Sequence, residues 1–94
     1  MPMTQQEMVE ANIELAAEFS RYLFDNPEVE EQIPPDSEII FLPEFDKDLK
    51  DYNLNLGKKL EADGTKIAYV KIGKLNPKVL SRIEGVDIEL RTAV

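Results

Sequence analysis

The residues best suited to chemistry in this 94-residue sequence are acidic and basic side chains that follow two short apolar runs. The candidates are Glu44, Asp46, Asp48, Lys71 and Lys74. Carboxylate oxygens are the ligands that Mg²⁺ prefers, and a carboxylate beside a lysine can act as a general base. Acidic residues that precede a helix are also explained by capping and by the positive end of the helix dipole, and we favour that explanation. These residues therefore define a candidate crevice and not an assigned site.

The absence of cysteine and histidine limits the kinds of catalytic and metal sites that the chain can form. The sequence contains no cysteine, which excludes disulfides, thiol catalysis and zinc sites built on cysteine. It also contains no histidine, the commonest general base and the commonest ligand of transition metals. No calcium-loop, phosphate-binding or nucleophile motif is present either. We assign no catalytic residue, no metal site and no cofactor, and we make no prediction of enzymatic activity.

The charge balance is strongly acidic. Nineteen Asp and Glu residues against eleven Lys and Arg residues give a formal net charge of -8. Such a surface repels phosphate backbones and anionic lipid headgroups, so we expect neither nucleic acid nor membrane as a partner. It suits a basic protein partner, although acidity most often serves solubility alone. The N-terminus lacks the basic start and apolar run of a secretory signal, and we expect a cytoplasmic protein.

The first element predicted is a long helix from Gln5 to about Asp25. Thr4 and Glu7 have the spacing of a capping box, and apolar residues then recur at helical spacing. The apolar surface is wider than a single contact requires, because a second flank extends it around the helix. That flank consists of Val9, Ile13, Ala17 and Phe24. We interpret it as a candidate interface with a second copy of the chain, which predicts a homodimer.

The middle of the chain predicts a strand, a helix and a second strand. A short helix from Pro27 to Gln32 or Ile33, with Asn26 as its N-cap, comes first. The run Ile39–Leu42 is apolar on both faces, as in a covered strand. A helix from Lys47 to about Ala62 and an alternating strand from Lys66 to Ile72 follow. Because short loops join them, we predict a right-handed βαβ unit with parallel strands.

The C-terminal part of the chain carries weaker signals. Pro77 can open a short helix to Ile83, and Val86–Leu90 alternates strictly, which predicts a third strand. The link after Ile72 has only about a dozen residues, so both a parallel and an antiparallel orientation stay open. The fold class is α/β, with α+β as the alternative. The predicted architecture is one small two-layer domain over residues 1–94.

Three stretches of the sequence carry a resemblance to a known family. They are Asn12–Leu23, Asn26–Val29 and Ile33–Glu44. The chain resembles a family of short prokaryotic proteins classed as a domain of unknown function, and the resemblance covers roughly Gln5 to Lys74. The resemblance implies a stand-alone domain and brings no activity, cofactor or functional residue with it.

Two functional hypotheses follow from these observations. The first is a non-enzymatic interaction or regulatory module that acts as a homodimer. It rests on the wide apolar helix face, the acidic surface and the missing catalytic residue types. The alternative is a protein that binds a small ligand or a divalent metal, with or without enzymatic activity. Its site would be the crevice at the carboxyl ends of the two parallel strands, where ligands bind in open α/β sheets.

Overall fold

The structure is a computed structural model that describes residues 3–78 and 83–91. Its elements in chain order are α1 (Gln5–Asp25), α2 (Pro27–Glu30), β1 (Glu38–Pro43), α3 (Lys47–Ala62) and β2 (Ile67–Ile72). The two strands form a parallel sheet in which Glu38 pairs with Ile67 and Pro43 pairs with Ile72. The predicted small α/β domain with a βαβ unit is confirmed.

Both long helices begin at side-chain caps that the sequence predicts. The Thr4 hydroxyl accepts from the Glu7 amide while the Glu7 carboxylate accepts from the Thr4 amide, each at 3.2 Å. Asp46 caps α3, and its carboxylate accepts from the Leu49 amide at 3.2 Å. These bonds satisfy amides that the first turn of a helix leaves without partners.

The junction between α1 and α2 differs from the prediction. Asn26 precedes α2, but its side chain makes no cap bond to that helix. Instead, the side-chain amide of Asn26 donates a hydrogen bond to the backbone carbonyl oxygen of Tyr22 at 2.9 Å. Asn26 therefore closes the C-terminus of α1, and α2 is shorter than predicted, ending at Glu30.

The two long helices, α1 and α3, contact side chains on opposite faces of the sheet. Ile40 pairs with Tyr69 and Phe41 pairs with Val70, so Tyr69 and Phe41 lie on opposite faces. The Tyr69 ring lies against Gly57 of α3, and the Phe41 ring meets Phe19 of α1 edge to face at 5.6 Å between centroids. Tyr69 and Phe41 thus bring α3 and α1 into contact with opposite faces of the sheet.

The core gathers where α1, β1 and α3 meet. It is a cluster of buried apolar side chains, Met8, Leu15, Phe41 and Leu49. Beside it, α1 and α3 are joined by a reciprocal pair of hydrogen bonds between the side-chain amides of Asn12 and Asn53, at 2.9 and 2.8 Å. Asn53 also donates to the Phe41 carbonyl oxygen at 2.9 Å. A buried amide is costly without partners, and every bond it makes here fixes α3 to its neighbours.

The third strand predicted over Val86–Leu90 is wrong for this single chain. Residues 83–91 are described and form neither helix nor strand. A strand needs the backbone groups of a neighbouring strand, and the alternating apolar side chains of this segment find no cover. Val86, Ile88 and Leu90 are 68%, 79% and 90% exposed. Most of the helix predicted from Pro77 to Ile83 falls on residues 79–82, outside the described ranges.

Candidate functional site

The structure places Glu44 and Lys71 of the candidate crevice at the same edge of the sheet. The Glu44 amide donates to the Ile72 carbonyl oxygen at 2.8 Å, so the carboxyl ends of β1 and β2 lie side by side. This pairing brings Glu44 near Lys71, whose positive charge contributes to lowering the pKa of that carboxyl. The parallel register accounts for the proximity of these two residues.

Glu44 has a stronger partner than Lys71. The Lys50 ammonium lies 2.8 Å from its carboxylate. The hydrogen bond and the charge of Lys50 together hold the pKa of Glu44 below its usual value of 4.5. Both side chains are partly exposed, so the pair is a surface ion pair of modest strength.

The remaining carboxylates of the crevice serve the start of α3. Asp46 accepts the cap bond from Leu49, and Asp48 lies exposed in the first turn, where its charge complements the helix dipole. Within residues 3–78 and 83–91, no three carboxylates come close enough together to hold a metal ion. The arrangement is accounted for by capping and ion pairing.

Lys71 and Lys74, the two lysines of the candidate crevice, also border a groove between α1 and β2. The groove has a volume of about 390 Å³. Its apolar wall consists of Phe19, Tyr22, Val29, Val70, Ile72 and Leu75, and Lys71 and Lys74 lie at its rim. We call it the α1–β2 groove. Sequence reasoning missed it, because the packing of Phe19 of α1 on Phe41 of β1, which brings α1 beside the sheet, joins residues far apart in the sequence.

The second candidate surface lies on the outer side of α1. Ile13 is 65% exposed and Phe24 is 88% exposed, and Val9 and Ala17 are exposed as well. Ala16 and Ser20 are exposed on the same side of the helix. At 100° per residue, these side chains fall within an arc of about 100°. We call this set the α1 stripe: Val9, Ile13, Ala16, Ala17, Ser20 and Phe24.

The α1 stripe is separated from both the core and the charged side of the helix. The buried residues Met8 and Leu15 point toward the sheet. The charged residues of α1 follow the stripe on its far side, and none lies within its arc. A mostly apolar strip on an exposed helix is typical of a surface that binds another protein.

The fold and these surfaces define a small α/β domain with a βαβ unit. None of the helices in the described ranges is long and apolar enough to cross a membrane. The chain belongs to a family of unknown function, DUF5647, whose sequence model matches residues 7–86. No curated protein and no solved structure matches the chain significantly.

Proposed function

We propose that the chain is a non-enzymatic interaction module that acts as a homodimer through the α1 stripe. The observation that carries the proposal is the exposure of this apolar strip along a 21-residue helix. A helix of that length extends about 30 Å, which gives the contact the full width of a small domain. Removing such a strip from water provides the main free energy of protein association.

The order of side chains along the stripe favours a second copy over an unrelated partner. The large residues Val9 and Phe24 lie at its two ends, and small residues lie at its centre. If two copies of α1 pack antiparallel about a two-fold axis at Ala16 and Ala17, Phe24 of one copy meets Val9 of the other. Val9 and Phe24 then cover each other, Ile13 lies opposite Ser20, and the small alanines let the helices approach closely. This self-complementarity is what a two-fold interface requires.

The charged residues beside the stripe fit the same arrangement. Arg21 follows the stripe on the side where Glu10 and Glu14 also lie. In the antiparallel pair, Arg21 of one copy lies opposite Glu10 and Glu14 of the other. Opposite charges at the rim add little affinity, but they favour this arrangement over a parallel one, in which the two charged flanks lie on opposite sides of the interface and cannot pair.

The state of the crevice supports an interaction role over a catalytic one. Asp46 is engaged as a helix cap and Glu44 is engaged with Lys50. Beyond the dimer, the acidic surface suits a basic protein as the regulated or bound partner, and the cytoplasm is the compartment we expect for it. The alternative is the binding of a small ligand or a divalent metal at Glu44, Asp46 and Asp48.

Amide spectra of the ¹⁵N-labelled chain test the proposal residue by residue. On dilution from millimolar to micromolar concentration, the amides from Val9 to Phe24 are expected to shift while those of α3 stay in place. Spectra that do not depend on concentration would overturn the homodimer. A separate titration with Mg²⁺ examines the alternative, because saturable shifts confined to Glu44–Asp48 would favour a metal site.

A further inference from the structure

The outer edge of β1 and the outer edge of β2 differ in whether their backbone groups are covered. Glu38 and Glu44 donate to carbonyl oxygens of the β2 side, at 2.8 Å each, so alternate residues of each strand bond across the sheet. The Phe41 carbonyl therefore points to the outer edge of β1, where the Asn53 side chain bonds to it. A side chain closes the middle of that edge against another strand.

The outer edge of β2 has no comparable cover. By the same alternation, the backbone groups of Ile67, Tyr69 and Lys71 point away from β1. No backbone hydrogen bond reaches these groups from the described part of the chain. β2 also contains no fully buried residue, whereas the last four residues of β1 are all buried. β2 is an open edge that is able to accept a strand.

The α1–β2 groove supplies apolar cover for such a strand on one face. Val70 and Ile72 of β2 and Phe19 of α1 line it. A strand added beside β2 presents alternate side chains to this groove and the others to the face that carries Tyr69 and Lys71. A strand that fits this site therefore has apolar residues at every second position.

The segment Val86–Leu90 has the required pattern. Val86, Ile88 and Leu90 alternate with Asp87 and Glu89. With its apolar residues in the groove, the acidic residues lie on the same face as Lys71. The stretch from Ile67 to Lys74 contains Lys71 and Lys74 and no acidic residue, so the charges are complementary in a chain that is otherwise strongly acidic.

We propose that residues Val86–Leu90 of a second copy add as a third strand to the open edge of β2. Before this segment, the Lys78 ammonium of the same chain lies 3.5 Å from the Glu14 carboxylate, beside the middle of α1. In the single chain the segment forms no strand and its apolar side chains remain exposed. Strand exchange between copies covers both the edge and the segment. This contact is separate from the α1 stripe and does not rest on it.

Site-directed cross-linking tests the proposal, since a chain without cysteine carries only the thiols that are introduced. Lys71→Cys and Asp87→Cys chains are mixed at micromolar concentration and treated with a short bismaleimide, and cross-linked peptides are identified by mass spectrometry. We expect position 71 of one chain to be joined to position 87 of the other. The matched control replaces Lys71→Cys by Lys58→Cys, which places the thiol on the exposed side of α3, and is expected to lower the yield at least tenfold.

Two further variants test whether the 71–87 cross-link depends on the proposed strand pairing and whether it is independent of the α1 stripe. Ile88→Asp, at a side chain that is 79% exposed in the single chain, is expected to reduce the 71–87 cross-link at least tenfold without unfolding the domain. Ile13→Glu on the α1 stripe is expected to leave a detectable 71–87 cross-link, which separates this inference from the proposed dimer. A double Lys71→Cys/Asp87→Cys chain that closes only within itself would overturn the proposal, as would the absence of any 71–87 product.

Discussion

A methyl group on Gly57 would lie 2.6 Å from the Tyr69 hydroxyl oxygen and 2.8 Å from a ring carbon of Tyr69. Gly57 is in the middle of α3, where glycine costs about 1 kcal/mol relative to alanine. The missing side chain lets α3 and β2 approach closely. Partial burial in this contact raises the pKa of the Tyr69 hydroxyl, and a hydrogen bond with Glu61 raises it further. Gly57 thus lowers the intrinsic stability of α3 but allows the close packing of α3 on β2.

Gly57→Ala is therefore expected to destabilise the domain, despite the better helix propensity of alanine. Overpacking of this kind costs about 1 to 3 kcal/mol, which exceeds the propensity gain. Urea unfolding followed by circular dichroism measures the change. The control is Gly73→Ala, because an added methyl group there meets nothing within 4 Å. A Gly57→Ala chain more stable than wild type would contradict the close approach, and Gly57→Ala/Tyr69→Val is expected to recover most of the loss.

The Asn53 amide gives a second prediction about stability. Asn53 is only 2% exposed and bonds both Asn12 and the Phe41 carbonyl. Asn53→Ala leaves that carbonyl and the Asn12 amide without their partner, so we expect a loss of about 1 to 3 kcal/mol in the free energy of unfolding. Asn55→Ala, on the exposed side of the same helix, is the control and should change little. Equal effects of the two substitutions would show that the bonds contribute nothing.

The Glu44–Lys50 pair makes the stability depend on pH in a defined direction. The pKa of Glu44 in the folded chain lies below 4.5, so its contribution is complete above pH 4.5 and is lost as the pH falls through the folded value. Lys50→Met is expected to raise the pKa of Glu44, because Lys50 is the largest cause of the lowering. Carboxyl ¹³C shifts give this pKa directly. Lys58→Met removes the same charge farther along α3 and should leave it nearly unchanged, so an equal rise in both variants would contradict the pairing.

Much of the fold follows from local patterns in the sequence. The helix bounds are predicted because Thr4, Glu7 and Asp46 carry capping signals that act over three residues. The parallel register follows from the short βαβ connection, and it places Glu44 near Lys71. At the carboxyl end of β1, Asp46 serves as a helix cap and Glu44 forms an ion pair with Lys50.

The parts that the sequence does not predict depend on contacts between distant residues. Asn12 and Asn53 stand out as polar residues in or beside apolar stripes, but their bond joins positions 41 residues apart, which no local pattern specifies. The strand predicted over Val86–Leu90 has the correct alternation and no neighbour in the single chain. A strand is defined by its partner, and the open edge of β2 supplies one only across two copies.

Sedimentation equilibrium tests the central claim, that the α1 stripe joins two copies, most directly. The Ile88→Asp chain, in which the strand exchange between copies is removed, is expected to be a dimer at millimolar concentration and to dissociate on dilution toward micromolar concentration. Ile13→Glu places a charge on a side chain that is 65% exposed, so the fold should be retained while the dissociation constant rises at least tenfold. Asn55→Glu adds the same charge on α3 and should leave the constant unchanged. An Ile88→Asp chain that is monomeric at millimolar concentration, or an Ile13→Glu/Ile88→Asp chain that associates as tightly as Ile88→Asp alone, would contradict the account.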